Sequence, residues 1–250
     1  MTGADAAARL EVDDIRVEFG GIVALADLSF SVDEGQICAL IGPNGAGKTT
    51  LFNCVSRLYE PTAGSIRFGG TDLLGEPAHR IASHGITRTF QNLALFPALT
   101  VLENVMLGAH AKRERERNRR VQALEVLERL GLADLALHHA AGLPYGTLKR
   151  IELARALTSR PKLLMLDEPA AGLTHSEVDE LADLIRTLHS EYEMSVLLVE
   201  HHMQMVMSIS EKIVVLDFGS KIAEGTPAEI SGDARVIEAY LGHPDDRERA

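Results

Sequence analysis

One short stretch limits what this chain can fold into more than any other part of the sequence. Residues 42–50 read Gly-Pro-Asn-Gly-Ala-Gly-Lys-Thr-Thr and directly follow the apolar run 37–41. The spacing Gly-x4-Gly-Lys-Thr between an apolar strand and a helix is the pattern of a phosphate-binding loop. We therefore predict a buried strand, this loop, and a helix that runs to about residue 58.

The residue types in the loop fit a polyphosphate ligand. Glycine has no Cβ, so the backbone can curl here and point its N–H groups inward. Lys48 would reach the β- and γ-phosphates, and the Thr49 hydroxyl would bind Mg²⁺. A plain glycine-rich turn is the alternative, but the flanking strand and helix favour a bound nucleoside triphosphate. The nucleotide-binding residues predicted here are Gly42, Pro43, Asn44, Gly45, Ala46, Gly47, Lys48, Thr49 and Thr50.

The composition favours a folded, soluble protein. The chain has 250 residues, of which 46% are hydrophobic, and a formal net charge of −11. These values support a sizeable core and argue against nucleic acid as a partner. No apolar run approaches the roughly 20 residues of a membrane span, and the N-terminus lacks a secretory pattern, so we expect a cytoplasmic protein. Cys38 and Cys54 are then small buried hydrophobes rather than a disulfide or redox pair.

Hydrophobic patterns differ before and after the loop. Residues 10–32 and 65–68 alternate apolar and polar side chains, which predicts a small antiparallel front sheet. Apolar strands at 163–167, 196–201 and 212–217 alternate with helical segments. That alternation predicts a parallel sheet, with functional sites at the carboxyl ends of its strands.

Helical patterns dominate the middle of the chain. We predict helices over 99–108, 121–132 and 148–159, the second with Leu124, Leu127 and Leu130 in one buried stripe. Residues 112–120 form a basic run in an otherwise acidic chain. It is either a solvated helix face or a contact with a partner or with lipid headgroups.

Two carboxylates and a histidine follow apolar strands. Asp167 ends a buried run, where a charge is costly unless it faces a cation, and the Mg²⁺ of the phosphate loop is the natural partner. Alternation along the strand would turn Glu168 the other way, toward a water that it could orient or deprotonate. His201 would contact the γ-phosphate from the same rim. The alternatives are an acidic pair without a role and a purely structural histidine.

Together these motifs resemble the ATPase subunits of ABC transporters. The matching segments are 42–50, Gln91, 143–150, 163–169 and His201. The resemblance implies an α/β P-loop NTPase of the ABC ATPase type, with a parallel core sheet, an antiparallel front sheet and an inserted helical lobe. In this single domain we place the core at 1–91 and 160–226, the lobe at about 92–159, and a helical tail at 227–250.

The resemblance also implies how the site is completed. Members of the family hold each ATP between the phosphate loop of one subunit and the signature loop of another, so Tyr145, Gly146 and Thr147 would contact the partner's ATP. Gln91 would contact Mg²⁺ and the catalytic water. Phe19, which the residues alone leave open as a core residue or an adenine-stacking ring, becomes the stacking ring.

More narrowly, the chain resembles the ATP-binding subunits of branched-chain amino-acid importers. The matching segments are 85–92, 168–173, 200–201, 225–227 and 236–242. This implies an ATP-hydrolysing subunit, peripheral on the inner face of the cell membrane. Its partners would be transmembrane permease subunits and a second ATPase subunit, identical or different. The alternative is a soluble ABC-type ATPase that acts on a cytosolic scaffold, as in iron–sulfur cluster assembly.

The sequence departs from the family at two places. Most members read Leu-Ser-Gly-Gly-Gln where this chain has Leu143-Pro144-Tyr145-Gly146-Thr147, and Pro144 removes a hydroxyl and an N–H from the signature loop. Thr174 replaces the usual aspartate in a loop that crosses the dimer. These departures predict slow or asymmetric ATP hydrolysis.

Overall fold

The computed structural model describes residues 8–89, 93–111 and 115–241. The strands are β1 (Leu10–Phe19), β2 (Ile22–Val32), β3 (Ile37–Ile41), β4 (Ala63–Phe68), β5 (Thr71–Asp72), β6 (Ile86–Arg88), β7 (Leu163–Asp167), β8 (Ser195–Val199), β9 (Lys212–Asp217) and β10 (Ser220–Gly225). The α-helices are α1 (Lys48–Val55), α2 (Val101–Met106), α3 (Glu116–Arg129), α4 (Tyr145–Thr158), α5 (His175–Tyr192), α6 (Met203–Ile209), α7 (Pro227–Ser231) and α8 (Ala234–Leu241).

The strand that precedes the phosphate loop, β3, lies inside a six-stranded sheet of order β10-β9-β3-β8-β7-β6. Its neighbours β8 and β9 are parallel to it, and β7 is parallel to both β6 and β8. Strands β3, β7 and β8 are buried along their whole length, so they read as continuous apolar runs. The predicted parallel sheet is confirmed, and the carboxyl ends of its strands share one edge.

The predicted antiparallel front sheet is also confirmed. Its order is β2-β1-β4-β5, with antiparallel pairing throughout. The core sheet lies between the front sheet and a layer of helices. Alternate residues of each core strand face opposite sides, so they pack against different layers. In β7, Leu163 and Met165 pack with the front sheet, whereas Leu164 and Leu166 pack with the helices.

Helices α2, α3 and α4 pack on one another through one buried apolar cluster. Leu127 and Leu130 belong to it, but Leu124 is 39% exposed, so the predicted three-leucine stripe is wrong. Each step of three residues falls about 60° short of a full helical turn, and Leu124 therefore leaves the face on which Leu130 lies. Ala123 and Val126 complete the buried face instead.

Two further predictions about this region have different outcomes. Helix α4 begins at Tyr145 rather than at residue 148, because Pro144 precedes it at the N-cap with φ −54°, a value that proline favours and that suits a helix start. In the basic run, residues 115–120 are described and Arg117 and Arg120 are exposed, while 112–114 lie outside the described residues. A role for this run stays a prediction.

In the described ranges, no helix combines the length and apolar character that crossing a membrane requires.

Candidate active site

The phosphate loop is held tightly at both of its ends. A Cβ on Gly42 (φ 150°) would lie 2.1 Å from the Leu216 carbonyl oxygen of β9, and one on Gly47 (φ 100°) would lie 2.6 Å from the Ala24 carbonyl oxygen of β2. A side chain is therefore excluded at both positions. Gly45 (φ 81°) has nothing within 4 Å of such a Cβ, so the middle of the loop faces open space where a ligand could approach.

Lys48 begins α1 and folds back over the loop. Its Nζ donates hydrogen bonds to the carbonyl oxygens of Gly42 (2.7 Å) and Pro43 (2.8 Å). Burial lowers the pKa of Lys48, and the nearby carboxylates of Glu168 and Asp167 oppose that shift. The loop lysine and the two carboxylates at the end of β7 thus share one electrostatic environment.

The first turn of α1 offers donors to an anion. Gly47 is its N-cap and provides no side-chain cap, so the first N–H groups of the helix face the loop without a capping side chain. Such a terminus attracts negative charge because its first N–H groups have no acceptor within the helix and because the helix dipole is positive there. Thr49, the predicted metal ligand, is exposed at this end of the helix, while Ala46 packs inward.

Asp167 has a cationic partner that the sequence interpretation missed. It ends β7 with its side chain 3% exposed, and its Oδ2 accepts a hydrogen bond of 2.7 Å from the guanidinium of Arg88 at the end of β6. The same guanidinium donates to Asn53 Oδ1 of α1 at 2.7 Å and lies 5.3 Å from the Phe52 ring centroid. Arg88 thus compensates Asp167 in addition to the expected metal, and Asp167 as a ligand of Mg²⁺ stays a prediction. An arginine at the carboxyl end of the short strand 86–88 was the available signal.

Glu168 and His201 lie together. His201 Nε2 is 2.8 Å from Glu168 Oε1, which joins the loop after β7 to the loop after β8. The predicted reason for the direction of Glu168 is wrong, since β7 ends at Asp167 and Glu168 adopts a left-handed backbone (φ 49°). A turn directs this side chain, not strand alternation, and the Glu168 N–H bonds the Val199 carbonyl at 2.9 Å.

Phe19 is not a core residue. Its side chain is 46% exposed and meets the ring of Tyr59 edge-on, with centroids 5.3 Å apart and an interplanar angle of 73°. One of the two alternatives left by the sequence is thereby removed. Stacking on adenine stays a prediction.

The signature-loop residues occupy the first turn of α4 and contact a different segment. A Cβ on Gly172 would lie 3.1 Å from Cε1 of Tyr145, and one on Gly146 would lie 2.8 Å from Glu177 Oε1. Thr147 belongs to the same turn. Thr174 accepts a hydrogen bond from the Glu177 N–H in a capping box at the start of α5. Tyr145 to Thr147 therefore pack beside the loop between β7 and α5. The remaining predicted site residue, Gln91, lies outside the described residues.

Few of the described side chains at this site could bind a metal, and those few offer oxygen atoms as ligands. No group of three or more His, Cys, Asp and Glu residues in the described part of the chain could hold a metal ion by itself. The Asp167 carboxylate and the Thr49 hydroxyl are oxygen ligands of the kind that Mg²⁺ prefers, and Mg²⁺ commonly takes its remaining ligands from phosphates and water. The residues present fit a metal that arrives with a nucleotide.

Comparisons with known families place this site in context. Residues 25–171 match the model of the ABC transporter family, and residues 220–246 match that of the branched-chain amino acid ATP-binding cassette transporter. The chain is 44% identical over 248 residues to a high-affinity branched-chain amino acid transport ATP-binding protein, BraF, of Pseudomonas aeruginosa, covering 93% of this chain and 97% of the relative. It is 41% identical to the corresponding protein LivG of Escherichia coli, with the same coverage.

Solved structures give the same picture for the fold. A nucleotide-free ATP-binding cassette from an ABC transporter superposes with a TM-score of 0.85 at 29% identity, covering 94% of this chain and 99% of that one. A cassette in its ADP conformation matches with a TM-score of 0.85 and 29% identity, over 94% and 98% of the two chains. A dimeric cassette bound to ADP and Pi after hydrolysis matches at 0.78 and 27% identity, over 87% and 98%.

Proposed function

This chain belongs to the ABC transporter family of ATP-hydrolysing subunits, and from that premise we propose that it drives an importer of branched-chain amino acids or a related small polar solute. The relatives named for branched-chain amino acid transport support this cargo. We propose a position on the inner face of the membrane, against permease subunits, with residues 92–159 as the lobe inserted into the ATPase core. A dimeric relative supports a second ATPase subunit as partner.

The observation that carries this function is the convergence of Lys48, Asp167, Glu168 and His201 at one edge of the sheet. Lys48 would exchange its two carbonyl acceptors for the β- and γ-phosphates, which accept more strongly because they are charged. Donors of the loop and of the α1 N-terminus would hold the remaining phosphate oxygens. These residues bind and orient ATP before any bond breaks.

Hydrolysis then needs a positioned water. Glu168 would orient that water in line with the γ-phosphate and accept its proton, and His201, held by Glu168 at 2.8 Å, would donate to the γ-phosphate. We assign Thr49, Asp167 and Gln91 to Mg²⁺, which when bound neutralises charge on the transferred phosphoryl group. Phe19 would cover the adenine, and Tyr145, Gly146 and Thr147 would close on the ATP of the second subunit.

Two variants test this function. Glu168→Gln should keep ATP binding, lower the steady-state ATPase rate about 10²- to 10⁴-fold as expected for loss of a general base, and accumulate an ATP-bound dimer on size exclusion. Lys48→Ala should lose ATP binding, measured with a fluorescent nucleotide. Glu191→Gln is the control, since its exposed carboxylate pairs with Arg129 at the surface. Normal turnover by Glu168→Gln would refute the assignment.

A cytosolic scaffold ATPase would share every one of these nucleotide contacts. The two functions differ in the partner, so purification from solubilised membranes separates them. Recovery of the chain with a membrane-embedded subunit supports the importer, and recovery with a soluble scaffold contradicts it.

A further inference from the structure

A buried carboxylate, that of Glu200, lies next to His201 in the chain and bonds the loop that carries Glu168. Glu200 follows β8, is 1% exposed, and was not among the predicted site residues. Its Oε1 accepts a hydrogen bond of 2.7 Å from the N–H of Ala170. Its Oε2 accepts bonds from the N–H groups of His201 (2.7 Å) and His202 (3.1 Å). One side chain thus connects the loop after β7 with the loop after β8.

The chemistry of these bonds makes the connection firm. A buried carboxylate is costly unless it is hydrogen-bonded, and here backbone N–H groups supply that compensation. Bonds to a charged acceptor are stronger than neutral ones, and breaking the bond from Ala170 would leave Oε1 of Glu200 and a buried N–H without that partner. Each of its two oxygens serves a different loop, so only a carboxylate can accept from both.

The segment that Glu200 holds also carries the residues of the site. Glu168 lies two positions before Ala170, and its carbonyl accepts from the N–H of Ala171 at 3.2 Å. Further along the same segment, Gly172 lies against the ring of Tyr145. A displacement of Ala170 would therefore move Glu168 on one side and the Tyr145 contact on the other.

We propose that Glu200 is a positioning residue for ATP hydrolysis. Its side chain clamps the loop after β7 to the loop after β8. This clamp keeps Glu168 and His201 in fixed positions relative to each other and to the signature turn of α4. This inference rests on the proposed function. Glu200 bonds Ala170, His201 and His202 and acts through these neighbours, so its loss should affect the chemical step and leave ATP binding nearly intact.

Glu200→Gln tests the clamp with little change in shape. An amide has one acceptor oxygen instead of two, so one of the two loops is released. We expect kcat to fall about 10- to 100-fold, the size of effect that a misplacement of about 1 Å produces, while KM for ATP and the affinity for a fluorescent nucleotide stay near wild type. Hydrogen exchange should speed up at the amides of Ala170 or of His201 and His202. Glu191→Gln should change none of these values.

Further variants and outcomes decide the proposal. Adding Glu200→Gln to Glu168→Gln should cost no further activity, because a residue that acts through the pair has no effect once the pair is broken. If Glu200→Gln fails to fold, Glu200→Asp keeps both oxygens and should fold with an intermediate kcat. A wild-type kcat in Glu200→Gln, or equal losses of kcat and ATP affinity, would overturn the clamp. Normal turnover by Glu168→Gln would instead overturn the function on which it rests.

Discussion

Single side chains from distant parts of the sequence decide the charge balance of the site. Arg88 and Asp167 are both nearly inaccessible, with side chains 8% and 3% exposed, and the arginine is held in turn by Asn53 and the face of Phe52. Before a metal ion arrives, the aspartate is therefore already compensated. The Mg²⁺ proposed for Asp167 would share this carboxylate with a fixed guanidinium.

Replacing Arg88 should show how much this residue contributes to the free energy of unfolding. Arg88→Met would leave Asp167 without its guanidinium and lower the free energy of unfolding by about 3–5 kcal/mol, as for other broken buried pairs. Saturating Mg·ATP should recover part of the loss, since the Mg²⁺ proposed for this site would then supply a cation at Asp167. Urea unfolding with and without nucleotide measures both effects.

The matched control for this variant is Arg16→Met. Arg16 pairs with Glu18 and Asp27 at the surface, where ion pairs contribute about 0–1 kcal/mol. Equal losses in the two variants would contradict the special role of the Arg88–Asp167 pair.

At the scale of elements, helix α4 shows how one residue changes a terminus. Pro144 is its N-cap, and its side chain makes no capping hydrogen bond. The N–H groups of the first turn remain as anion donors, so the departure from the family pattern removes donors without removing the helix end. We therefore expect a signature turn that is weakened and still able to bind an anion.

Pro144→Ser should strengthen that turn. The change adds an O–H and an N–H donor at a site that would face the partner's γ-phosphate, and one added bond to a charged group corresponds to roughly tenfold or more. We expect the steady-state ATPase rate of the assembled complex to rise by about that factor. Pro77→Ser is the control, because Pro77 is also an exposed N-cap proline, in a 3-10 turn. An unchanged rate in Pro144→Ser would remove the hypothesis of slow hydrolysis.

At the scale of the whole molecule, the core sheet is covered on both faces. The front sheet and α1 cover one face, and helices α4 and α5 belong to the cluster on the other. The side chains of Cys38 in β3 and Cys54 in α1 pack in the cluster on the first of these faces, fully buried and unpaired by disulfide. The prediction that both act as small buried hydrophobes is confirmed.

The two thiols should report the integrity of the folded chain. Burial raises the pKa of Cys38 to about 12 and that of Cys54 to about 11, above the ordinary value near 8.5. The stability linked to these thiols is therefore complete below about pH 8.5 and is lost as the pH rises toward 11–12. At pH 8 a thiol reagent should label the native chain slowly and both cysteines rapidly in urea. Fast labelling without denaturant would contradict this packing.

The sequence by itself determined the phosphate loop, the order of strands and helices, the two sheets and the family, because each depends on local patterns or on motifs whose chemistry requires particular residue types. It also placed Asp167, Glu168 and His201 at one edge, since parallel strands end together. Tertiary structure decided which side chains meet there. The contacts of Arg88 with Asp167, Glu200 with Ala170, and Tyr145 with Gly172 join segments far apart in sequence, and only the adjacency of β6, β7 and β8, with α4 packed beside them, brings those segments within bonding distance.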